Sequence, residues 1–253
     1  MPRDAAHTPP PPAPAYRELA PAAPLRAGLT CAWSYQAPSH PAPPVLVIPD
    51  GCVDLIWTQD DLFVAGPDPV AQPAAIAPGA LLTAVRFTPG AAQAFLGLPL
   101  QAIAGQRVAL RDLWGSRARR LTDALAMDAV GAHARLRSLQ HAIARQGPPV
   151  PDPAMGALFA RLDRPDTLPP ARLAREFDIS ERTLRRRCHA AFGYGPKTLA
   201  RILRLQRFLG APGQSSLLQR ALDAGYGDAS HLVRETRLLT GLAPGLLLAQ
   251  RHG

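Results

Sequence analysis

DISERTLRRRCHAAFGYGP, residues 178–196, predicts the fold of the C-terminal third of this 253-residue chain. Ser180 suits a helix N-cap, because its hydroxyl can accept a hydrogen bond from the first turn. Apolar residues recur behind it with helical spacing. The stretch therefore predicts a helix from Glu181 to about Ala191, with the acidic Glu181 in its positively polarised first turn.

The pattern recurs in GDASHLVRETRLLTGLAP at residues 227–244. Ser180 lies 48 positions before Asp228, which is also a favourable N-cap residue. The same offset pairs Leu184 with Leu232, Arg186 with Arg234, Gly193 with Gly241, Pro196 with Pro244 and Leu199 with Leu247. Upstream of the caps the offset is 47, pairing Ala174 with Ala221. The repeat indicates two copies of one supersecondary unit, the second with an extra residue in its turn.

Each copy has the sequence of a helix-turn-helix unit. In unit 1, Leu173 and Ala174 lie on a short first helix and residues 177–179 form the turn. In unit 2, residues 225–227 form the turn, and a second helix runs from Ala229 to about Leu239. The first helix of unit 2 is built from Leu217, Leu218, Ala221 and Leu222. Residues 196–209 are predicted to form one long joining helix with Arg201, Arg204 and Arg207 on its outer side.

The second helix of each unit, here called the recognition helix, is predicted to bind DNA. Early residues of such a helix reach base edges in the major groove, where arginine binds guanine bidentately. Val233 suits contact with a thymine methyl group. For any one arginine, a phosphate contact or a solvated helix face is the alternative. The predicted DNA-binding residues are Ser180, Arg182, Thr183, Arg185, Arg186, Lys197, Ala229, Ser230, His231, Val233 and Arg234.

The charge distribution favours the same interpretation. The chain has a net charge of +9. Residues 161–253 contain sixteen Lys and Arg against eight Asp and Glu, a net charge of +8. A GC-rich genome would explain arginine in place of lysine, but it does not explain why the excess gathers in one third of the chain. Such asymmetry indicates a polyanionic partner for the basic end.

The N-terminal half is predicted to be rich in β-strands. Apolar runs at 45–48, 52–57, 62–65 and 81–87 are separated by turn signals, as in a small barrel or sandwich. Thr88 and Pro89 suit a helix start, and the helix would end near Gly97. Residues 116–145 have helical spacing, and Gly131 is predicted to separate two helices.

These segments give an α+β chain with two domains. The predicted order is a disordered Pro-rich tail (1–15), a β-rich domain with following helices (16–145), a linker (146–153) and an all-α double helix-turn-helix domain (154–253). No apolar stretch is long enough to span a membrane, and the Pro-rich N-terminus has no secretory signal pattern. With three scattered cysteines, a reducing cytoplasmic location is expected.

Residues 170–250 resemble the DNA-binding domain of AraC-type bacterial transcription regulators. The matching stretches are 173–174, 179–186, 193–196, 225–226, 228–232, 234 and 241–244. The resemblance implies two recognition helices that enter successive major grooves. Departures fall at Arg187, Cys188, Arg220 and Thr236, where the family usually has apolar residues, and at 210–213 before unit 2.

The N-terminal region is similar to a domain of uncertain role found ahead of this DNA-binding domain in one AraC-type subgroup. The matching stretches are 47–55, 64–67, 85–90 and 113–115. The resemblance implies a small cupin-like barrel followed by helices, which agrees with the strand pattern.

Asp50, Asp54 and Arg86 are charged residues in or beside apolar runs. One interpretation is a pocket in which Arg86 holds an anionic ligand. The favoured alternative is a structural ion pair or ordinary outward-facing positions, because buried charge is costly unless paired. Cys52 lies in an apolar strand and is expected to be a small core residue rather than a redox sensor. The seven histidines form no cluster in the strands, so neither a metal nor a cofactor is predicted.

The sequence leaves two alternatives to a non-enzymatic regulator. A DNA-repair methyltransferase-like fusion would need an activated cysteine, commonly in a four-ligand zinc site, and three cysteines are too few. A protein-interaction module with a merely solvated basic end would not respond steeply to salt. Double-stranded DNA is the predicted partner; RNA polymerase, a small-molecule effector and a second copy of the chain stay open.

Overall fold

A computed structural model describes residues 15–59, 61–125, 129–166, 168–211 and 215–252, with the backbone alone at 15 and 250–252. Most of the predicted Pro-rich tail lies outside these residues. The α+β class is confirmed, with strands in the N-terminal half and helices throughout the C-terminal part. Within the described residues, no helix has the length and apolar character needed to cross a membrane.

The front domain is built on antiparallel strands. Six of them form one sheet in the order β1-β2-β7-β4-β5-β8, while β3 and β6 form a separate two-stranded ladder. The strands are β1 (Ala15–Leu19), β2 (Leu29–Gln36), β3 (Val45–Val47), β4 (Asp54–Trp57), β5 (Leu62–Ala65), β6 (Gln72–Ala74), β7 (Leu81–Phe87) and β8 (Arg107–Ala109). The four predicted apolar runs correspond to β3, β4, β5 and β7, and the sheet adds strands that the sequence pattern did not predict.

Four helices lie before and after β8 in the chain and share the core of the front sheet. They are α1 (Ala92–Leu96), α2 (Leu110–Trp114), α3 (Ser116–Asp123) and α4 (Gly131–Gln146), with 3-10 turns at Ala23–Leu25 and Leu100–Ala102. Gly131 begins α4, in agreement with the predicted break. The predicted helix start at Thr88 is wrong: α1 begins at Ala92, although it ends in a left-handed Gly97 as expected. Thr88 N instead donates to Gly28 O, which holds this residue beside the start of β2.

The core of the front domain joins the sheet to α3 and α4. Apolar side chains of β4, β5 and β7 pack against leucines and isoleucine of these helices. Leu55, Val64, Val85, Leu121 and Leu139 have no more than a trace of exposed surface. Burial of large aliphatic side chains contributes about 1.5–3 kcal/mol each, so this cluster stabilises the front domain.

The C-terminal part consists of α5 (Pro153–Leu162), α6 (Pro170–Glu176), α7 (Glu181–Phe192), α8 (Pro196–Gly210), α9 (Leu217–Asp223), α10 (Ala229–Thr240) and α11 (Pro244–His252). Unit 1 is α6 and α7, unit 2 is α9 and α10, and α8 joins them. Their shared core includes Leu158, Leu184, Leu199, Phe208 and Leu232. The recognition helices bury Leu184, Leu232 and Leu239 in this core, and their opposite faces lie outside.

The front domain rests on the C-terminal ends of both recognition helices. Gly193 directly follows α7, and a Cβ atom at this position would clash with Pro67 Cγ. Ala71 N donates a hydrogen bond to Leu239 O in the last turn of α10 (2.7 Å). Between them, Gln206 Nε2 of α8 donates to Pro49 O (2.7 Å). The contact surface lies away from the residues predicted to bind DNA, which cluster near the N-terminal ends of these helices.

Candidate DNA-binding surface

The two turns have the same backbone construction. Asp178 adopts a left-handed conformation (φ 50°), as does Gly225 (φ 93°) at the matching position 47 residues later. Unit 1 needs a non-glycine residue to adopt a conformation that Asp tolerates better than most. The matching hydrogen bonds run from Ile179 N to Ala174 O (3.0 Å) and from Tyr226 N to Ala221 O (2.9 Å). The extra residue of unit 2 is therefore Gly227, placed between the shared turn and the helix cap.

Both predicted N-caps are formed. Ser180 Oγ accepts from Thr183 N at 3.1 Å, and Asp228 Oδ1 accepts from His231 N at 2.7 Å. Each cap satisfies a backbone donor that the first helical turn leaves unpaired. At the other end of each helix a left-handed glycine, Gly193 or Gly241, terminates the helix with its N–H on a carbonyl four residues back. The repeat seen in the sequence is thus a repeat of local hydrogen-bonding geometry.

The exposed face of α7 is strongly cationic. Arg182, Arg185 and Arg186 are exposed, as predicted from their positions, while Leu184 is completely buried. Thr183 is half-buried, and its backbone N–H and its hydroxyl both hydrogen-bond with the Ser180 hydroxyl. Arg187, the fourth arginine of the run, is also exposed, although the sequence prediction left it out.

The exposed face of α10 is less charged and more apolar. An open depression of about 630 Å³ follows it, lined by Ala229, Ser230, Val233, Arg234, Arg237 and Leu238. Four of these residues belong to the predicted set. The sequence prediction did not include Arg237 and Leu238. Arg237 follows residues 230, 233 and 234 with helical spacing, so the sequence pattern could have indicated it.

His231 belongs to an internal network rather than to the open face. Its Nδ1 accepts from Gly227 N (3.2 Å), and its Nε2 lies 3.6 Å from Glu235 Oε2. The ring also packs edge-on against Tyr226. These contacts orient the imidazole along the helix. The contact with DNA that the sequence predicts for His231 stays a prediction.

The arginines of the joining helix do not lie where the sequence predicted. Its arginines were predicted to lie on the outside, yet Arg204 is buried and Arg201 is half-buried. Arg201 Nε donates to Glu235 Oε1 and Arg204 Nη1 donates to Glu235 Oε2, both at 2.9 Å. Arg207 donates to Ala224 O (3.2 Å) and pairs with an aspartate at the end of α5. These guanidinium groups connect α8 to unit 2, while Lys197 at the start of α8 stays exposed.

Arg220, one of the departures from the family pattern, has a structural role. Its side chain is buried, its Nη2 donates to Phe208 O (3.2 Å), and its guanidinium lies 5.4 Å from the Phe208 ring centroid. Phe208 O belongs to the last turn of α8, where carbonyls lack partners within the helix. The arginine therefore stabilises the end of the joining helix.

The charged residues of the front domain form one cluster. Arg86 and Asp54 lie directly opposite each other on β7 and β4. Two hydrogen bonds join them, Nε to Oδ1 at 3.0 Å and Nη2 to Oδ2 at 3.1 Å. Asp50 lies 3.3 Å from the same guanidinium and Glu18 lies 3.9 Å away, while Trp33 Nε1 donates to Asp54. Burial raises the pKa of Asp54 against the opposing effect of Arg86. With three carboxylates around one arginine, the geometry favours the structural ion pair over an anion site.

Neither thiol nor metal chemistry is indicated in the front domain. Burial raises the pKa of the Cys52 thiol well above its ordinary value, which disfavours the reactive thiolate. Within the described residues, no three His, Cys, Asp or Glu side chains come together as metal ligands.

Comparison with known families decides the class of the helical domain. A helix-turn-helix domain of the AraC type matches residues 173–250, which contain both units and the joining helix. The helical domain is therefore an AraC-type helix-turn-helix domain, which supports a DNA-binding transcription regulator. A domain of unknown function, DUF6597, matches residues 17–109 of the front domain. The family models that match include no enzyme family.

Solved structures of ToxT from Vibrio cholerae are similar in part. An apo point variant aligns with a TM-score of 0.49 at 11% identity, over 87% of this chain and 96% of that chain. A second ToxT structure gives 0.46 at 10% identity, over 90% and 99%. Wild-type ToxT with a bound unsaturated fatty acid gives 0.46 at 11% identity, over 86% and 93%. Among curated proteins, none matches this sequence.

Proposed function

We propose that this regulator binds a specific DNA sequence by inserting α7 and α10 into successive major grooves. The observation that carries the proposal is the identical construction of the two units, each with a capped recognition helix and an exposed arginine-bearing face. The helix dipole makes the N-terminal end of each recognition helix partially positive, and this charge favours contact with a polyanion. Ser180, Arg182, Arg185 and Arg186 would contact the first half-site, with Thr183 and Lys197 beside them. Ala229, Ser230, Val233 and Arg234 would contact the second.

Footprinting on a site selected from random DNA tests this function directly. We expect two protected half-sites about 10 base pairs apart from centre to centre, as two successive major grooves require. Affinity should fall steeply with salt because bound lysines and arginines release counterions. No protected segment together with a weak salt dependence would instead support a protein-interaction module, and a single protected half-site would contradict the insertion of both helices.

The Arg186→Ala variant tests base readout by a single side chain. We expect a loss of about 1–3 kcal/mol in operator binding, concentrated at one base position. Arg175→Ala is the matched control, since Arg175 is exposed on α6 and outside the recognition helix. A footprint and base preference unchanged by Arg186→Ala would remove this residue from base readout.

The front domain is proposed to regulate DNA binding in response to a small molecule or a partner. If Asp50, Asp54 and Arg86 line an effector pocket, Arg86→Ala should abolish the effector response while operator binding persists. If they form a structural cluster, the variant leaves the buried carboxylate of Asp54 without its cation and should lower stability by about 3–5 kcal/mol. Urea unfolding of the variant separates these two outcomes.

A DNA-binding regulator acts where the genome is, so we propose a cytoplasmic location. We also propose that the chain has no enzymatic activity. A second copy of the chain and RNA polymerase are proposed partners on DNA. Sedimentation with and without operator DNA measures the first, and transcription with purified polymerase measures the second.

A further inference from the structure

A cavity of about 220 Å³ lies within the DNA-binding domain, between α5, α6 and α8. Its walls are largely apolar. Leu162, Leu173 and Ala200 are buried side chains of these helices, and Leu168 closes the cavity from the segment that precedes α6. An apolar recess of this kind binds the hydrocarbon part of a ligand, because water inside it makes few hydrogen bonds.

The same cavity is bordered by positive charge. Lys197 and Arg201 line it from one face of α8, four residues apart. Like charges at this spacing repel each other, which favours an anion between them. The described residues give Lys197 no carboxylate partner, and Arg201 uses only its Nε on Glu235, with its side chain about 32% exposed. Donors of both side chains therefore remain available to a ligand.

From this combination we propose that the cavity binds a small carboxylic acid with an apolar body. The carboxylate would lie between Lys197 and Arg201, and the body would pack against Leu162, Leu168 and Leu173. Drug-sized ligands occupy about 300–1,000 Å³, so the smaller volume here selects a short aliphatic or single-ring acid. Hexanoate and benzoate are suitable probes. A phosphate group alone would meet both cations but leave the apolar walls unfilled.

Binding of the acid would act on unit 2 through Arg201. This arginine holds Glu235 of α10 at 2.9 Å, and the acid brings a second carboxylate to the same guanidinium. Competition for it weakens the link between the joining helix and the second recognition helix, and the acid also neutralises Lys197. This consequence rests on the proposed DNA-binding function, and it predicts that the acid lowers operator affinity.

Calorimetric titration of the full chain with hexanoate tests the site without DNA. We expect 1:1 binding, with hexanol and acetate about tenfold weaker or more, since each lacks the charge or most of the apolar surface. Lys197→Met should weaken hexanoate binding about threefold to tenfold. Ala200→Leu should abolish it by filling the cavity while both cations remain. Arg175→Gln removes an exposed cation away from the cavity and should leave binding unchanged.

Three results would overturn the proposal. They are no hexanoate binding to the wild-type chain, undiminished binding to folded Lys197→Met and Ala200→Leu, or inorganic phosphate binding as tightly as hexanoate. Lys197 is exposed, so its variant is expected to fold even if Ala200→Leu does not. Operator titration is a separate measurement: hexanoate binding without any DNA binding would refute the proposed function and keep the site. Operator binding without hexanoate binding would refute the site and keep the proposed function.

Discussion

The two helix-turn-helix units share one backbone but present different surfaces to DNA. Turn hydrogen bonds, N-caps and terminal glycines correspond at offsets of 47 and 48 residues. On the outside, α7 exposes four arginines (Arg182, Arg185, Arg186 and Arg187), whereas the face of α10 combines two arginines with alanine, serine, valine and leucine. The scaffold is repeated, and the binding chemistry is not.

The cores of the two units differ in the same way. Cys188 and Phe192 are buried in unit 1, and the matching positions of unit 2 hold Thr236 and Thr240. Hydroxyls in a core need partners, and a phenylalanine buries more apolar surface than a threonine. Unit 2 therefore depends more on its links to α8, which Glu235 provides, than on its own packing. Unit 1 is expected to contribute most of the affinity, and unit 2 to depend on being held in place.

The largest expected difference concerns the two sets of DNA-facing side chains. Replacing Arg182, Arg185 and Arg186 by alanine should reduce operator binding by about 3–6 kcal/mol, since each contributes about 1–3 kcal/mol and their effects overlap. The matching triple change at Ser230, Val233 and Arg234 should cost about 1–3 kcal/mol. Fluorescence anisotropy at one salt concentration measures both. Equal losses would contradict the inequality of the units.

The second largest expected effect comes from breaking the link between α10 and the joining helix. Glu235→Gln removes the charge that accepts from Arg201 and Arg204, and its side chain is only 13% exposed. Allowing for this partial exposure, we expect a loss of about 1–2 kcal/mol in stability. The footprint should lose the second half-site and keep the first. Asp223→Asn, an equal change in charge at an exposed residue of α9, is the control; protection lost equally at both half-sites would argue against a role confined to unit 2.

A smaller effect is expected at the helix caps. Ser180→Ala and Asp228→Ala should each lower the free energy of unfolding by about 1 kcal/mol. Asp228 should lose slightly more, because its carboxylate also interacts with the helix dipole. Urea unfolding measures both, with Ser180→Thr and Asp228→Asn as variants that keep a capping oxygen. If these conservative variants lose as much as the alanine variants, the caps are not the cause.

The smallest effect has the opposite sign. Thr236 Oγ1 is buried and, among the described residues, has no hydrogen-bond partner. Thr236→Val should therefore raise the stability of unit 2 by about 0.5–1 kcal/mol. Thr240→Val is the matched control, since Thr240 Oγ1 donates to Thr236 O (2.8 Å) and its loss should destabilise. Thermal unfolding of the two variants gives the comparison, and a destabilised Thr236→Val would show that the hydroxyl is satisfied in solution.

Local chemistry explains why the helical domain could be predicted so closely. Ser180 and Asp228 form caps with atoms only three residues away, and the glycine at 193 ends a helix through its own backbone. The turn of unit 2 could be placed because Ala174 and Ala221 mark the change of offset. Such features depend on neighbouring residues, and neighbours are what a sequence shows directly.

Long-range pairing explains what could not be predicted. Whether Arg201 and Arg204 face solvent depends on Glu235, which lies more than thirty residues away in the chain. The same holds for β2, which the apolar runs did not predict and which pairs with β1 and β7. Leu217, Leu218 and Leu222 were expected to build a packed helix, yet they are exposed and only Ala221 enters the core from that face.

The contact between the front domain and the trailing ends of α7 and α10 has an energetic consequence for recognition. Pro67 lies against Gly193 after one helix, and Ala71 bonds to Leu239 in the other, so the front domain contacts the ends of both recognition helices. We expect these contacts to restrict the mutual orientation of the two helices, so that less conformational entropy is lost when DNA binds. Severing the chain between α4 and α5 would leave every DNA-facing side chain intact and still weaken the complex.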